Sequence, residues 1–478
     1  MKLKKLMQYG IFLILQIVIL TVAQGQNMVF YGTTSSGGLN NQGVIFKTDN
    51  NGENYTVVHD FNAEDGMRPG YGNLCNVNGV LYGTTDIGGV NNMGVLFSYN
   101  IITALYTKLH DFDEQTGQRP KSQVIQASNG KLYGTASSGG LNNVGTLFEF
   151  DIQAGTLTKL ADFDDENTGR QIFSNVMQAS NGKLYGVTNK GGLNDNGVLY
   201  EYDSTTEVFS KLFDFSSDTF GSGPTVLVEI NNDVLYGTCW GGGDFNGGTI
   251  FQYTISTSTM IKKFDFNRLV TGSFHKFSLM KASNGKLYGV TGSGTGEFSG
   301  RGGVLFEYDV LTETYSVKQS FNIEMGDDSS SPLLEASNGY LYGLTYYGGL
   351  NNKGTLLEYH IDTNQLFKKK DFDTASGFFP KGGLIEIDEF ALGVSETNLK
   401  VTEVNIWPNP VTDNLFVQAP SSKYFDLKLI NSLGQVVLTQ INNSATAELN
   451  MSSLSRGLYI LNVVDENKNS HTIKIIKN

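Results

Sequence analysis

The sequence predicts an all-β chain, a seven-bladed β-propeller of four-stranded blades of about 51 residues each, followed by a small Ig-like β-sandwich. Three observations carry this expectation. The tripeptide Leu-Tyr-Gly or Phe-Tyr-Gly returns seven times, with tyrosines at Tyr31, Tyr82, Tyr133, Tyr185, Tyr236, Tyr288 and Tyr342, spaced 51 to 54 residues apart; such a period belongs to stacked or circular arrays. Each interval holds four short runs of β-branched, leucine and aromatic residues separated by Gly, Asn, Asp and Ser, the pattern of an antiparallel meander. The first copy starts abruptly at Val29-Phe30-Tyr31, whereas the last runs on into Gly383-Leu384-Ile385-Glu386-Ile387, a surplus strand. The two ends are therefore expected to share blade one, which leaves no sheet edge open.

The third copy shows one unit in full. Gln123–Ala127 leads through Ser128-Asn129-Gly130 into Lys131-Leu132-Tyr133-Gly134-Thr135; the loop Gly139–Gly145 then precedes Thr146–Phe150, a polar turn, Leu157–Leu160 and Asp162-Phe163. Asn-Gly pairs in the first connection (Asn129-Gly130, Asn181-Gly182, Asn284-Gly285, Asn338-Gly339) predict type I′ hairpins. Seven phenylalanines (Phe61, Phe112, Phe163, Phe215, Phe266, Phe321 and Phe372) keep step with the tyrosines, six of them after Asp and one after Ser320. Repetition around a whole ring is what blade-to-blade packing needs, and each buried ring contributes roughly 1.5–3 kcal/mol.

Lys2, Lys4 and Lys5 precede an apolar stretch from Ile11 to Val22, and Ala23-Gln24-Gly25 offers small residues for cleavage, so residues 1–25 are expected to be a signal peptide. The stretch is shorter than the ~20 residues of a spanning helix, and no membrane-spanning segment is expected in the mature chain. The propeller is assigned to 27–389, a linker to 390–402 and a second β unit to 403–478, with alternating runs at Asn414–Gln418, Phe425–Ile430, Gln435–Gln440, Leu458–Val464 and Thr472–Ile476. A formal net charge of −13 argues against nucleic acid as a partner. Two cysteines, Cys75 and Cys239, fall in the second and fifth units, too far apart around a ring to pair.

The segments Pro408-Asn409-Pro410, Leu429–Gln435 (with Gly434), Leu454-Ser455-Arg456-Gly457-Leu458-Tyr459 and Lys474-Ile475-Ile476-Lys477 stand in the order of a type A sorting domain of the type IX secretion system, which residues 403–478 resemble. The resemblance implies a Gram-negative bacterium, partnership with the secretion machinery, and a product that is secreted or attached to the outer-membrane surface. Leu81-Tyr82-Gly83-Thr84-Thr85 with Gly88-Gly89, and its counterparts in the third and seventh units, resemble tandem repeats of the GloVer type and are similar to kelch blades in period and glycine pairing. That resemblance implies a fold but no particular activity.

Two connections per unit are long, the Gly-Gly-Leu-Asn-Asn-x-Gly loop and the link after Asp-Phe, and up-and-down strand order puts both on one face. Candidate ligand-binding residues on it are Asn41, Asn92, Asn143, Asp195 and Asn352, with Phe245 in the fifth unit. Asn tolerates left-handed backbone and bonds to its own turn, which explains the pattern without a ligand; a ring of amides facing sugar hydroxyls is the functional alternative. Asp111-x-Asp113, Asp162-x-Asp164 and Asp371-x-Asp373 could serve Ca²⁺, although the EF-hand pattern is absent and no cofactor is expected. No nucleophile elbow, zinc motif or phosphate loop is present. The expectation is a secreted or surface-displayed binding or adhesion module for a glycan or protein, and not an enzyme. Two alternatives stand beside it: a carbohydrate-active enzyme at the irregular fifth and sixth units, around Trp240 and Arg301, and a purely structural surface protein.

Overall fold

A computed structural model describes residues 28–49, 51–69, 72–294, 302–328, 331–389, 404–418, 425–431, 435–442, 444, 446–465 and 470–477. The expected signal peptide and linker, Arg301 and Gly434 lie outside the described residues. Among those described, all regular structure is β-strand and there is no helix.

Residues 28–388 form seven antiparallel sheets whose strand order follows the chain. The third is typical, with strands Ile125–Gln126, Leu132–Ala136, Thr146–Asp151 and Thr156–Asp162. In the second, Met67–Pro69 and Cys75–Val77 both pair with Val80–Ile87, so its first strand is interrupted. The first sheet takes its first strand from the far end of the array: Ile385–Asp388 pairs with Met28–Thr34, with Tyr31 opposite Ile385 and Met28 opposite Asp388. The surplus strand therefore fills the place that the first copy leaves vacant.

Six of the seven junctions between sheets carry an edge-on aromatic contact. Phe61 meets Phe97 edge-on with ring centroids 5.2 Å apart, and the pattern repeats as Phe112–Phe148 (5.2 Å), Phe163–Tyr200 (5.3 Å), Phe215–Phe251 (5.0 Å), Phe266–Phe306 (5.6 Å) and Phe372–Phe46 (5.6 Å). The last pair joins sheet seven to sheet one. Between sheets six and seven a leucine stands in for the second ring, and Phe321 shares a core with Leu357. Seven apolar clusters, one at each junction, extend these contacts, and the cluster of Phe30, Val44 and Phe46 with Tyr342, Leu344 and Phe372 closes the circle. The sheets are thus propeller-like blades held side by side by their faces.

The glycine of Leu-Tyr-Gly makes room for this packing. A Cβ on Gly134 would stand 2.6 Å from Phe148 Cζ, because the third-strand ring lies across the glycine of the second strand. All seven tyrosines before these glycines are buried, so their rings offer no platform to a sugar. Six of the seven hydroxyls are held by side chains: Tyr133 Oη, for example, donates to Glu149 (2.9 Å) and accepts from Asn129 Nδ2 (2.8 Å), while Lys131 Nζ reaches Glu149 at 2.6 Å.

Two local features depart from the sequence expectation. Gly130 has φ +82° but Asn129 does not adopt positive φ, and Gly130 N–H donates to Ala127 C=O at 2.9 Å. The hairpin is a type I turn closed by a left-handed glycine, not type I′. Asn78-Gly79, with φ of 52° and 83°, has both residues left-handed as type I′ requires. In every sheet the pairing of third and fourth strands also slips by one residue, as between Leu96 and Phe97, a bulge that the sequence pattern did not announce.

The C-terminal unit has a three-stranded sheet (Asn405–Trp407, Asn414–Gln418, Thr446–Asn450) and a four-stranded one (Phe425–Asn431, Val436–Asn442, Gly457–Asp465, Ser470–Lys477). Leu415, Val417 and Leu449 of the first share a core with Phe425, Leu427, Leu461 and Ile475 of the second. Thr446–Asn450 is the strand the sequence reading missed, since only Ala447 and Leu449 in it turn inward.

Gly134→Ala should destabilise the chain by roughly 1–3 kcal/mol through overpacking against Phe148, measured by denaturant unfolding; unchanged stability would contradict the close approach. A second prediction concerns pH. His59 lies flat on Tyr106 (centroids 4.1 Å apart) with Asp65 3.7 Å away, and His110 packs edge-on to Phe112 at 5.2 Å. Burial lowers both imidazoles below their ordinary 6.5, outweighing the nearby carboxylates Asp65 and Asp60 for His59, and Asp113 and Asp111 for His110. The unfolded chain binds these protons more readily, so the stability they contribute is complete above about 6.5 and is lost as pH falls through the lowered values. Thermal midpoints should drop between pH 6.5 and 5, and His59→Phe, which copies Phe213 and Phe264 in the same slot, should reduce the drop. An identical pH profile in the variant would refute the assignment.

Candidate ligand-binding site

The two long connections share a face, as expected. Gly140 N–H donates to Glu114 C=O (2.8 Å) and Gly192 N–H to Asp165 C=O (2.7 Å), tying each Gly-Gly loop to the preceding inter-sheet link. The candidate residues Asn41, Asn92, Asn143, Asp195 and Asn352 all sit there in left-handed backbone, with φ between 51° and 56°. Each spends a side-chain oxygen on the N–H of the glycine four residues earlier, as Asn143 does on Gly139 at 3.2 Å. In the fifth unit this place belongs to Asn246 (φ 51°, 3.1 Å to Gly242 N), not Phe245, which is one residue out of step. The neighbouring asparagines are also engaged: Asn142 Nδ2 donates to Phe163 C=O at 2.9 Å.

The aspartate of Asp-Phe braces the same loop. Asp162 Oδ1 accepts Leu141 N–H at 2.7 Å and pairs through Oδ2 with Lys159 at 2.7 Å. In Asp111-x-Asp113, Asp111 accepts Val90 N–H (2.8 Å), while Asp113 caps its own turn through Gln115 and Thr116 N–H (2.9 and 2.7 Å). The two carboxylates serve different turns. Among the described residues no group of three or more His, Cys, Asp or Glu is placed to hold a metal. At the loop tips, Leu39, Val90, Leu141, Leu193 and Leu350 are 78–89% exposed, a ring of aliphatic side chains that the sequence reading did not single out.

Variation is concentrated elsewhere, at the third residue after the glycine of Leu-Tyr-Gly. Ser35, Asp86, Ser137, Asn189, Trp240 and Tyr346 occupy this place in six of the sheets. At sheets four and five it opens into a cavity of about 340 Å³ lined by Gln171, Phe173, Asn189, Lys190, Ser222, Gly223, Thr225 and Trp240. Trp240 is 46% exposed although it lies within a strand, one residue from its end. Asn189 Nδ2 donates to Pro224 C=O at 3.1 Å, whereas its Oδ1 is buried without a hydrogen-bond partner. Gly223 has φ +62°, and a Cβ there would lie 3.6 Å from both Asn189 C=O and Trp240 Cβ, so bare backbone lies beside both cavity residues.

The lining offers ring faces, amides, hydroxyls and one ammonium group. Cys239, adjacent to Trp240 in sequence, is fully buried, and burial pushes its thiol up to about 12, so it stays protonated and out of reach. Both cysteines are free. Of the cavity residues, the sequence reading named only Trp240. Phe173, Gln171 and Asn189 carried a signal only as departures from the repeat.

The sorting-domain landmarks meet at one end of the C-terminal unit. Asn409 Oδ1 accepts Ile476 N–H (2.8 Å), and Val411, next to Pro410, donates to Ile476 C=O (2.7 Å) and bridges Lys477, which also pairs with Gly457. Pro408 opens this segment, and Lys474 lies in the final strand.

Two family models match the chain. Residues 19–176 and 165–302 match the Gloeobacter/Verrucomicrobia repeat, and residues 405–478 match the secretion system C-terminal sorting domain. No curated protein matches the chain. Among solved structures it is similar to a candidate 6-phosphogluconolactonase of Bacteroides fragilis (14% identity, 77% of this chain and 99% of that one, TM-score 0.54). It is similar also to the periplasmic gluconolactonase PpgL of Pseudomonas aeruginosa (12%, 75% and 99%, TM-score 0.51). These likenesses concern fold. PorZ of Porphyromonas gingivalis, an essential surface component of the type IX secretion system, aligns over 91% of this chain at 14% identity and a TM-score of 0.44; the chain spans 63% of its length, less than two thirds. The sorting domain marks the product for export by the type IX route, secreted or attached at the surface, and among the described residues no helix is long and apolar enough to cross a membrane. With the repeat model covering more than half of its length, the chain belongs to the Gloeobacter/Verrucomicrobia repeat family.

Proposed function

We propose that this is an extracellular binding module: a seven-bladed β-propeller over 27–389, preceded by a signal peptide at 1–25 and joined by a linker at 390–402 to an Ig-like sorting domain at 403–478, with a glycan as its ligand. The observation that carries the reading is the cavity between Phe173 and Trp240, whose volume of about 340 Å³ lies in the range of small-molecule sites. Aromatic faces suit the apolar face of a sugar ring. Gln171 and Ser222 add donors and acceptors at the same wall. Nothing in this lining acts as the pair of carboxylates that glycoside hydrolysis uses, so the chemistry supports holding a sugar rather than cutting it. Surface display then makes the module an adhesin or a capture protein.

The full-length secreted protein should bind on a glycan array without releasing cleavage products. Trp240→Ala should weaken the strongest interaction about tenfold or more with an unchanged thermal midpoint. Asn143→Ala should do the reverse, costing about 1 kcal/mol of stability and leaving affinity alone. Binding that survives Trp240→Ala but fails in Asn143→Ala would move the site to the outer loops.

A further inference from the structure

Charge around the cavity runs against the charge of the chain. The carboxylate of Asp86 is fully buried and held in a two-point pair by Arg119, Nε to Oδ1 at 2.9 Å and Nη2 to Oδ2 at 3.0 Å. Lys121 stands 3.7 Å from the same carboxylate, with its Nζ 5.3 Å from the centroid of Phe173, the cavity ring. One carboxylate therefore faces two cations, and one of these, the Lys121 ammonium, also sits beside the aromatic wall. Lys190 lines the cavity itself. Asp165 and Asp195, on the loops flanking Lys190, are both bound by Arg170 Nη1, at 2.7 and 3.0 Å.

A chain with net charge −13 has no general attraction for anions. Around this aromatic-walled cavity four cations (Arg119, Lys121, Arg170 and Lys190) stand against three carboxylates (Asp86, Asp165 and Asp195), a small local excess of the sign opposite to the chain's, and such a site favours an anionic ligand over its neutral analogue. We infer that the glycan is an acidic saccharide, one whose carboxylate or sulfate meets Lys190, with the Lys121 ammonium beside Phe173 adding to the field, while its ring lies against Phe173 and Trp240. This rests on the cavity being the glycan site. Carboxylate and sulfate share the chemistry that the lysines recognise, and the probes below separate them.

The test titrates the full-length protein with matched pairs: uronate-containing oligosaccharides and their methyl esters, and sulfated and unsulfated galactans, each at low and high salt. The charged member of at least one pair should bind tenfold or more tightly than its neutral twin, with the difference shrinking as salt rises. Lys190→Gln and Lys121→Gln should each lower affinity for the charged member about three- to fivefold and leave the neutral one unchanged. Trp240→Ala should weaken both. Equal affinity within every pair, or lysine variants without effect, would overturn the inference while leaving a glycan site in place. Failure of every probe, charged and neutral, would overturn the glycan reading and this inference together.

Discussion

The edge-on contact between the phenylalanine that ends one sheet and the third-strand ring of the next is the interaction on which the rest of the array depends. It recurs at six junctions, from Phe61–Phe97 round to Phe372–Phe46. Each receiving ring lies over the glycine of Leu-Tyr-Gly, so the motif that marks the repeat is the footprint of the contact. The aspartate before the phenylalanine braces the Gly-Gly loop of its own sheet, as Asp162 does through Leu141 N–H. Two adjacent residues thus fix a sheet internally and fasten it to its neighbour. Closure follows when the strand Ile385–Asp388 completes the first sheet.

A frame built this way frees other positions to change. The residues that form the outer loops are almost all committed to one another, which explains why they repeat. The place held by Asp86, Asn189, Trp240 and Tyr346 repeats no single contact, since Asp86 pairs with Arg119 and Asn189 donates to Pro224 C=O, and there the copies differ in size and charge. Local departure from a rule that the rest of the chain obeys is where a single site is expected. Phe173, on the link into the fourth sheet, and Trp240, in the fifth, line one cavity because successive sheets stand side by side.

Much of the frame was legible because tandem copies act as their own comparison: the tyrosine and phenylalanine series, the shared first sheet and the common face of the long loops all follow from period and alternation. The bulge in every fourth strand was not legible, since one extra residue between hydrophobic positions looks like ordinary variation. The type I′ expectation failed because Asn-Gly also fits a type I turn followed by a left-handed glycine, and the flanking Ala and Lys do not distinguish them. Misplacing Phe245 against Asn246 came from matching asparagines without the anchoring glycines. The cavity was nearly invisible in sequence. Its residues come from separate short stretches (171–173, 189–190, 222–225 and 240) spread over about 70 positions, and only Trp240, large and exposed where its counterparts are mostly small, stood out.

The central claim is that repeated positions build the frame and divergent ones build the binding site. The most direct measurement is a crystal structure of the secreted protein soaked with the tightest oligosaccharide found. The account predicts sugar density between Phe173 and Trp240. Sugar density on the outer Gly-Gly loops, with the cavity holding only solvent, would contradict it.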